Sequence, residues 1–240
     1  MKILQSALVL VATTVSLAMK SQSVDDIVAK HVAAIGGKDA LSKIKSMTIE
    51  SDVAVMGQNF PAVTSILVDK GFKSVTTVNG TEIIQCVTPD GGWSVNPLAG
   101  AATPTAFSDD EKKLAGQSYA IGGPLYNYKE KGSTVELAGS DSVNGVKTIR
   151  LKVKDKNAVE TYLSLDPTTY YILKAETKGS INGQEVDAIA TFADYKKTET
   201  GYVLPFTTNR STQGFDVTIT HTKVEFNKDI DPKIFEMPKS

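Results

Sequence analysis

Between Met47 and Phe226 the apolar residues recur with a period of two, and this alternation constrains the chain more than any other feature. Met47, Ile49, Val53 and Val55 alternate with Thr48, Glu50 and Asp52, the pattern of a strand with one face covered. Gly57-Gln58-Asn59 and Asp69-Lys70-Gly71 set off runs at 60–68 and 72–78. Asn79-Gly80, a pair that tolerates positive φ at both corners of a tight turn, joins the second run to one at 81–88. The pattern resumes at 133–137, 147–154, 160–165, 170–178, 185–192, 202–208 and 215–226, with turns at Asn144-Gly145, Asp166-Pro167 and Asn182-Gly183. About eleven strands follow one another without βαβ alternation, internal repeat or linker, which predicts a mainly β (α+β) domain built as an antiparallel meander. The 18 glycines and 9 prolines suit many short elements joined by turns.

The segment before the strands has two parts. Lys2, an apolar stretch over 3–18, and the small residues Ser16 and Ala18 have the form of a secretory signal peptide, residues 1–23 with the cut near 18–23. That stretch is shorter than the ~20 residues a membrane span needs and is interrupted by hydroxyl and amide side chains. No cysteine stands near the cut to carry a lipid anchor. The expected product is periplasmic or secreted, soluble after cleavage, and a single domain over 24–240. Ser23, followed three positions on by Asp26, opens an amphipathic helix with Ile27, Val28, Val32 and Ile35 on one face. Gly36-Gly37 ends it, and 38–44 has the spacing of a second short helix. Cys86 is the sole cysteine, so an exported chain must be held by a core and not by an internal disulfide.

One stretch breaks the rhythm. Residues 97–106 are apolar, aperiodic and interrupted by Pro97, Gly100 and Pro104, which predicts a loop. Ser108 with Asp109, Asp110 and Glu111 then caps a helical segment whose sizeable apolar side chains are Leu114, Tyr119 and Ile121. Weak periodic packing makes 97–121 a candidate lid. Several strands are apolar on both faces, at Ile83-Ile84, Tyr170-Tyr171-Ile172-Leu173 and Ala188-Ile189-Ala190. Either helices cover them locally, or a curved sheet keeps an apolar concave side only partly covered, with room for a lipid. In the second case the ligand-facing residues are Ile49, Val53 and Val55 on the first strand, Trp93, and Leu98, Phe107, Leu114 and Tyr119 from the lid. Trp93 reads first as a core or rim anchor that needs no ligand, and second as a cavity-lining residue.

Charge and side-chain inventory exclude other classes. With 26 Lys+Arg against 27 Asp+Glu and no basic cluster, nothing provides the positive patch of a nucleic-acid or membrane-surface binder. Two histidines and one cysteine are too few for a zinc or iron–sulfur site, and no metal or cofactor is expected. His31 has no HExxH context and reads as a surface or half-buried helix position; His221, among threonines, reads as an outward strand position. Without a Gly-x-Ser-x-Gly elbow, catalysis is not expected. Asp109-Asp110-Glu111 is explained by the helix dipole, and Cys86 by a small core position.

The residues also carry a family likeness. Ile27 to Gly37, Ile-Val-Ala-Lys-His-x-x-Ala-Ile-Gly-Gly, then Leu41, Ile44-Lys45-Ser46 and an immediate strand, resemble the start of exported proteins of Bacteroidetes-type bacteria related to the periplasmic lipoprotein-carrier (LolA/LolB-like) superfamily. Asp90-Gly91-Gly92-Trp93 with Pro97, Leu165-Asp166-Pro167 with Leu173-Lys174, Asp194-Tyr195-Lys196 with Leu204-Pro205-Phe206, and Asp231-Pro232 with Phe235 and Pro238 extend the resemblance over most of the chain. It implies an incomplete, strongly curved antiparallel β-barrel with helices on its concave side and a hydrophobic cavity for acyl chains. The implied function is an exported carrier or binding protein for a lipid or acylated protein, with an envelope protein or peptidase as a further partner. The alternative is a catalytically inert structural or peptidase-associated module of the cell envelope. Characterised carriers hold a helical lid with an arginine on an early strand; the arginines here are Arg150 and Arg210, both later.

Overall fold

Thirteen strands pair into one sheet, every neighbour antiparallel, in the computed structural model, which describes residues 22–115, 120–181, 184–212 and 214–239. The first meander comprises β1 (Ser46–Val55), β2 (Gln58–Leu67), β3 (Gly71–Val78), β4 (Thr81–Thr88), β5 (Gly91–Asn96) and β6 (Ala101–Ala106). The second comprises β7 (Thr134–Val143), β8 (Val146–Lys154), β9 (Glu160–Leu165), β10 (Ile172–Ile181), β11 (Gln184–Lys197), β12 (Val203–Thr212) and β13 (Phe215–Phe226). Pairing of β1 with β13 joins the two meanders, so the free edges are β6 and β7, which are consecutive in the chain. The connection from Phe107 to Ser133 therefore starts at one edge of the open barrel and ends at the other. Residues 1–21, Tyr119 and the Asn182-Gly183 turn lie outside the described residues.

Expectation and structure agree on the mainly β class and differ in count, because 91–96 adds β5 and 97–106 is not a loop. It forms a 3-10 turn over Pro97–Ala99 followed by β6, which pairs with β5 through Trp93–Ala106, Ser94–Thr105 and Asn96–Ala101. An edge strand needs ladder hydrogen bonds on one side only, so Pro104 costs it nothing on the other. Strand pairing thus removes this stretch from the candidate lid and leaves the segment after it.

Local chemistry sets the helices. Ser23 Oγ accepts from the Asp26 amide at 3.1 Å and starts α1 (Val24–Ala34), whose Ile27, Val28, His31 and Val32 are buried. Gly36, at φ 118°, turns the chain into α2 (Gly37–Ser42); a Cβ there would stand 2.5 Å from the Gly201 carbonyl oxygen. Both helices lie on one face of the sheet, packed with Met47 and Ile49, Ile66, Leu151 and Val153, Leu163 and Leu165, and Phe226. His31 is not at the surface. It is 2% exposed, its Nδ1 sits 2.8 Å from the Tyr170 carbonyl oxygen, and its Nε2 is buried without a partner. The helix turns this position into the sheet because His31 follows Ile27 and Val28 by one turn.

Candidate functional site

Register identifies which side chains share the helix-bearing face, since paired residues project to the same side. Met47 and Ile49 pair with Phe226 and Val224 of β13 and with Ile66 and Thr64 of β2, which fixes that face. Along β1, Ser51, Val53 and Val55 follow on it by alternation. Ser51 pairs with His221 and Ala62, Val53 with Ile219 and Phe60, and Val55 with Gln58. On β12, Thr208 pairs with Ile219 and Arg210 with Val217; on β11, Phe192 pairs with Thr208 and Ala190 with Arg210. The outcome is a block on the same face as the core but beyond the helices. Val53, Val55, Phe60, Val217 and Ile219 are half-buried there, whereas Met47 and Ile49 are buried.

His221 belongs to this block and does not point outward. Its Nδ1 is 2.9 Å from Ser51 Oγ, and its ring stands edge-on to Phe206 with centroids 6.1 Å apart. The reason is a bulge: Glu50 pairs with Lys223 but Ser51 with His221, so Thr222 is an extra residue and the inward parity of β13 shifts. Burial first, and the Arg210 charge second, hold the imidazole pKa below its ordinary value. Arg210 is solvent-exposed, yet desolvation by surrounding protein lowers its pKa too. The side chain reaches water, so the guanidinium stays hydrated and charged. Ser51 beside His221 has the elements of a nucleophile and base, but among the described residues no carboxylate contacts the ring to orient it.

The connection between the free edges carries a third helix that touches both meanders. Ser108 and Glu111 form a reciprocal cap, the Ser108 amide and hydroxyl donating to Glu111 Oε2 at 2.7 and 2.8 Å, and start α3 (Asp109–Ala115). Phe107, 8% exposed, and Ala115 pack on Val87, with Phe72 alongside. Gly92 lets Phe107 lie flat on β5, since a Cβ there would meet the ring at 2.4 Å. At the far side Leu114 rests on Gly179 of β10, again where a Cβ would stand 2.4 Å away. The helix thus touches β5 of one meander and β10 of the other.

The sequence-derived set divides accordingly. Val53 and Val55 lie in the open block, and Phe107 and Leu114 in the bridge. Ile49 is 6% exposed and packed under the helices. Leu98 is 61% exposed on the turn before β6, and Tyr119 lies outside the described residues. Trp93 is on the opposite face. It pairs with Cys86 while its neighbour Gly92 pairs with Val87, and it is buried with Cys86 and Phe235 under the C-terminal segment. Its Nε1 donates to the Phe235 carbonyl oxygen at 3.0 Å. Alternation reverses the cavity-side placement of Trp93, because Val87 and Phe107 already occupy the inner side.

A separate cleft of about 360 Å³ runs along α1, walled by Val28, Val32, Leu125 and Tyr128. Tyr128 and Lys129 bond Asp25 at its margin, at 2.7 and 3.0 Å, so it is a seam between α1 and the Ile121–Gly132 stretch and lies outside the open block.

No family model matches the sequence, and no curated protein matches it either. Solved structures share the fold, three of them as follows. A LolA superfamily protein from Nitrosomonas europaea superposes with a TM-score of 0.57 at 12% identity, covering 87% of this chain and 96% of that one. A DUF1329 family protein from Desulfovibrio piger gives 0.56 at 14% identity over 89% and 97%. A domain from Vibrio parahaemolyticus that bears the name of an outer membrane lipoprotein-sorting protein gives 0.54 at 17% identity over 88% and 94%. The chain has the LolA-like fold, a curved antiparallel half-barrel with helices on one face.

Proposed function

We propose that this protein is an exported, non-catalytic carrier that holds the acyl chains of a lipid or lipidated protein against the open block of its inner face, with α3 as the lid. One observation carries the reading: the strands that close a packed core under α1 and α2 continue beyond it with Val53, Val55, Phe60, Val217 and Ile219 half-exposed on the same side. Apolar surface on a concave face spanned by a short helix suits a chain-like ligand. The lid reading draws on the attachment of α3, which holds the second meander through Leu114 on Gly179. The fold shared with a lipoprotein-sorting domain supports the ligand class. No helix among the described residues is long and apolar enough to cross a membrane, compatible with a soluble envelope protein.

Native mass spectrometry of the protein purified from its own cell envelope tests the reading, with co-purified acyl species expected. A second arm uses Leu114→Asp. A lid can swing the new charge into water when empty but must bury it against a bound chain, so uptake of a fluorescent fatty acid should fall far more than stability. A folded Leu114→Asp protein that binds the probe as tightly as the parent rejects the lid.

A further inference from the structure

The open block contains one permanent charge. Arg210 lies between Ala190 and Val217 across the ladder, with Thr208 and Ile219 in the next row and Phe192 beyond. Among the described residues it has no carboxylate partner and no hydrogen bond, whereas Arg150, on the other face, is bonded to Glu176 at 2.8 Å and stacked on Tyr162 at 4.5 Å. A guanidinium that reaches water and has no counter-charge in the protein is free to pair with an anion that arrives from outside.

We propose that Arg210 is a head-group site and that the ligand of the open face is a long-chain carboxylic acid, its carboxylate paired with the guanidinium and its chain laid over Val53, Phe60 and Ile219. This rests on the reading of that face as an acyl compartment and adds the chemistry of the head. A planar guanidinium matches a carboxylate through two parallel hydrogen bonds. The head is a monoanion because the block offers no second cation. His221 is kept neutral by burial and by the arginine's own charge. A phosphate monoester, with a charge of about −1.5 to −2, would be left half-compensated.

The test uses the delipidated full-length mature protein and Nile red, a neutral apolar dye, displaced by palmitate, methyl palmitate or 1-palmitoyl lysophosphatidate. Palmitate should displace the dye at concentrations roughly ten- to a hundredfold lower than its methyl ester, the range for a charge-assisted hydrogen-bonded pair. Arg210→Gln should abolish that ratio by weakening palmitate alone, and Arg210→Lys should keep part of it; melting temperature serves as the folding control. Equal displacement by acid and ester overturns the head-group site and leaves the compartment standing, as does an Arg210→Gln protein with the parental ratio. Tighter, Arg210-dependent binding of lysophosphatidate overturns the carboxylate assignment. Failure to take up the dye or either palmitoyl ligand removes the compartment and the head-group site together.

Discussion

The two ends of β1 carry the same alternation on the same face and end in different states. At one end Met47 and Ile49 meet α1 and α2 and are buried with Ile66 and Phe226, with Val224 packed against them partly buried. At the other, Val53 and Val55 face Phe60, Ile219 and Val217 across the ladder and stay half-exposed. Strand pattern therefore decides which side of a sheet is apolar, while the element laid over it decides whether that side becomes core or stays half-exposed. The helices cover one end because α1 has a full apolar stripe, Ile27, Val28 and Val32, whereas the seven residues of α3 bring only Leu114 and Ala115.

The largest effect expected from this contrast is in stability. Ile27, 2% exposed, sits in the covered end; Ile27→Ala should lower the unfolding free energy by about 2–4 kcal/mol in urea denaturation. Val53→Ala, in the open end, should cost less than about 1.5 kcal/mol, because a half-exposed side chain loses less burial and leaves no closed cavity. Equal losses would mean that the open end is packed shut and would remove the contrast. Next in size is the attachment of α3. Gly179→Val places atoms where Leu114 now rests, so α3 should detach at a cost of about 1–3 kcal/mol. Hydrogen exchange should then lose protection at 109–115 and retain it in β8 and β9. Protection lost evenly across the sheet would show that α3 is part of the core.

The two histidines sharpen the contrast through pH. Burial pushes His31 below the ordinary 6.5, opposed by its bond to the Tyr170 carbonyl; burial and Arg210 push His221 the same way. Each folded-state pKa lies below its unfolded value, so between the two the unfolded chain binds more protons. Stability should be level above about pH 7 and fall as the pH drops through 6.5, with a slope approaching but not exceeding about 1.4 kcal/mol per pH unit for each group. His31, in the covered end, should contribute more of the slope than His221, which water can reach. Comparing His31→Gln with His221→Gln in denaturation series from pH 7.5 to 5 checks this, and a steeper loss of slope in His221→Gln would reverse the assignment of the two ends. Asp141 acts in a different window. Lys174 foremost holds its carboxyl at about 2, so its share of stability is present above 3.8 and lost only as the pH falls from there toward 2.

Local rules made much of this legible. The Ser23 cap, the Gly36-Gly37 stop and the Ser108–Glu111 cap are set by residues three apart. Asn79-Gly80 and Asn144-Gly145 turn at φ near 50° and 82°, as such pairs should. β6 was hidden because its pairing is decided by β5 and not by its own period. The parity change in β13, from odd Val217 and Ile219 to even Val224 and Phe226, was present in the sequence as the mark of a bulge, and reading it would have turned His221 inward. Arg210 gave no such sign. Its place depends on the β1–β13 pairing, between strands some 170 residues apart, and on which face the helices choose.

The smallest effect is expected at Trp93, where the inner and outer faces are compared through one fluorophore. As the chain's only tryptophan it reports one environment: Cys86 and Phe235 beside it, and the Phe235 carbonyl bonded to its indole. That environment belongs to the outer face. A ligand over Val53, Phe60 and Ile219 lies across the thickness of the sheet and can reach the indole only by moving β5. Saturation with a non-fluorescent fatty acid should therefore leave the emission maximum within about 2 nm of its starting value, as expected for a close-packed site that nothing enters. Phe60→Trp adds a second indole on the inner face, and in that variant the same titration should shift the emission to the blue as water is displaced from the ring. Phe235→Ala makes the complementary control, since it opens the outer cover and should shift Trp93 to the red without ligand. A native Trp93 that responds to ligand as strongly as the introduced indole would place binding on the outer face, beneath Phe235, and would exchange the roles assigned to the two faces.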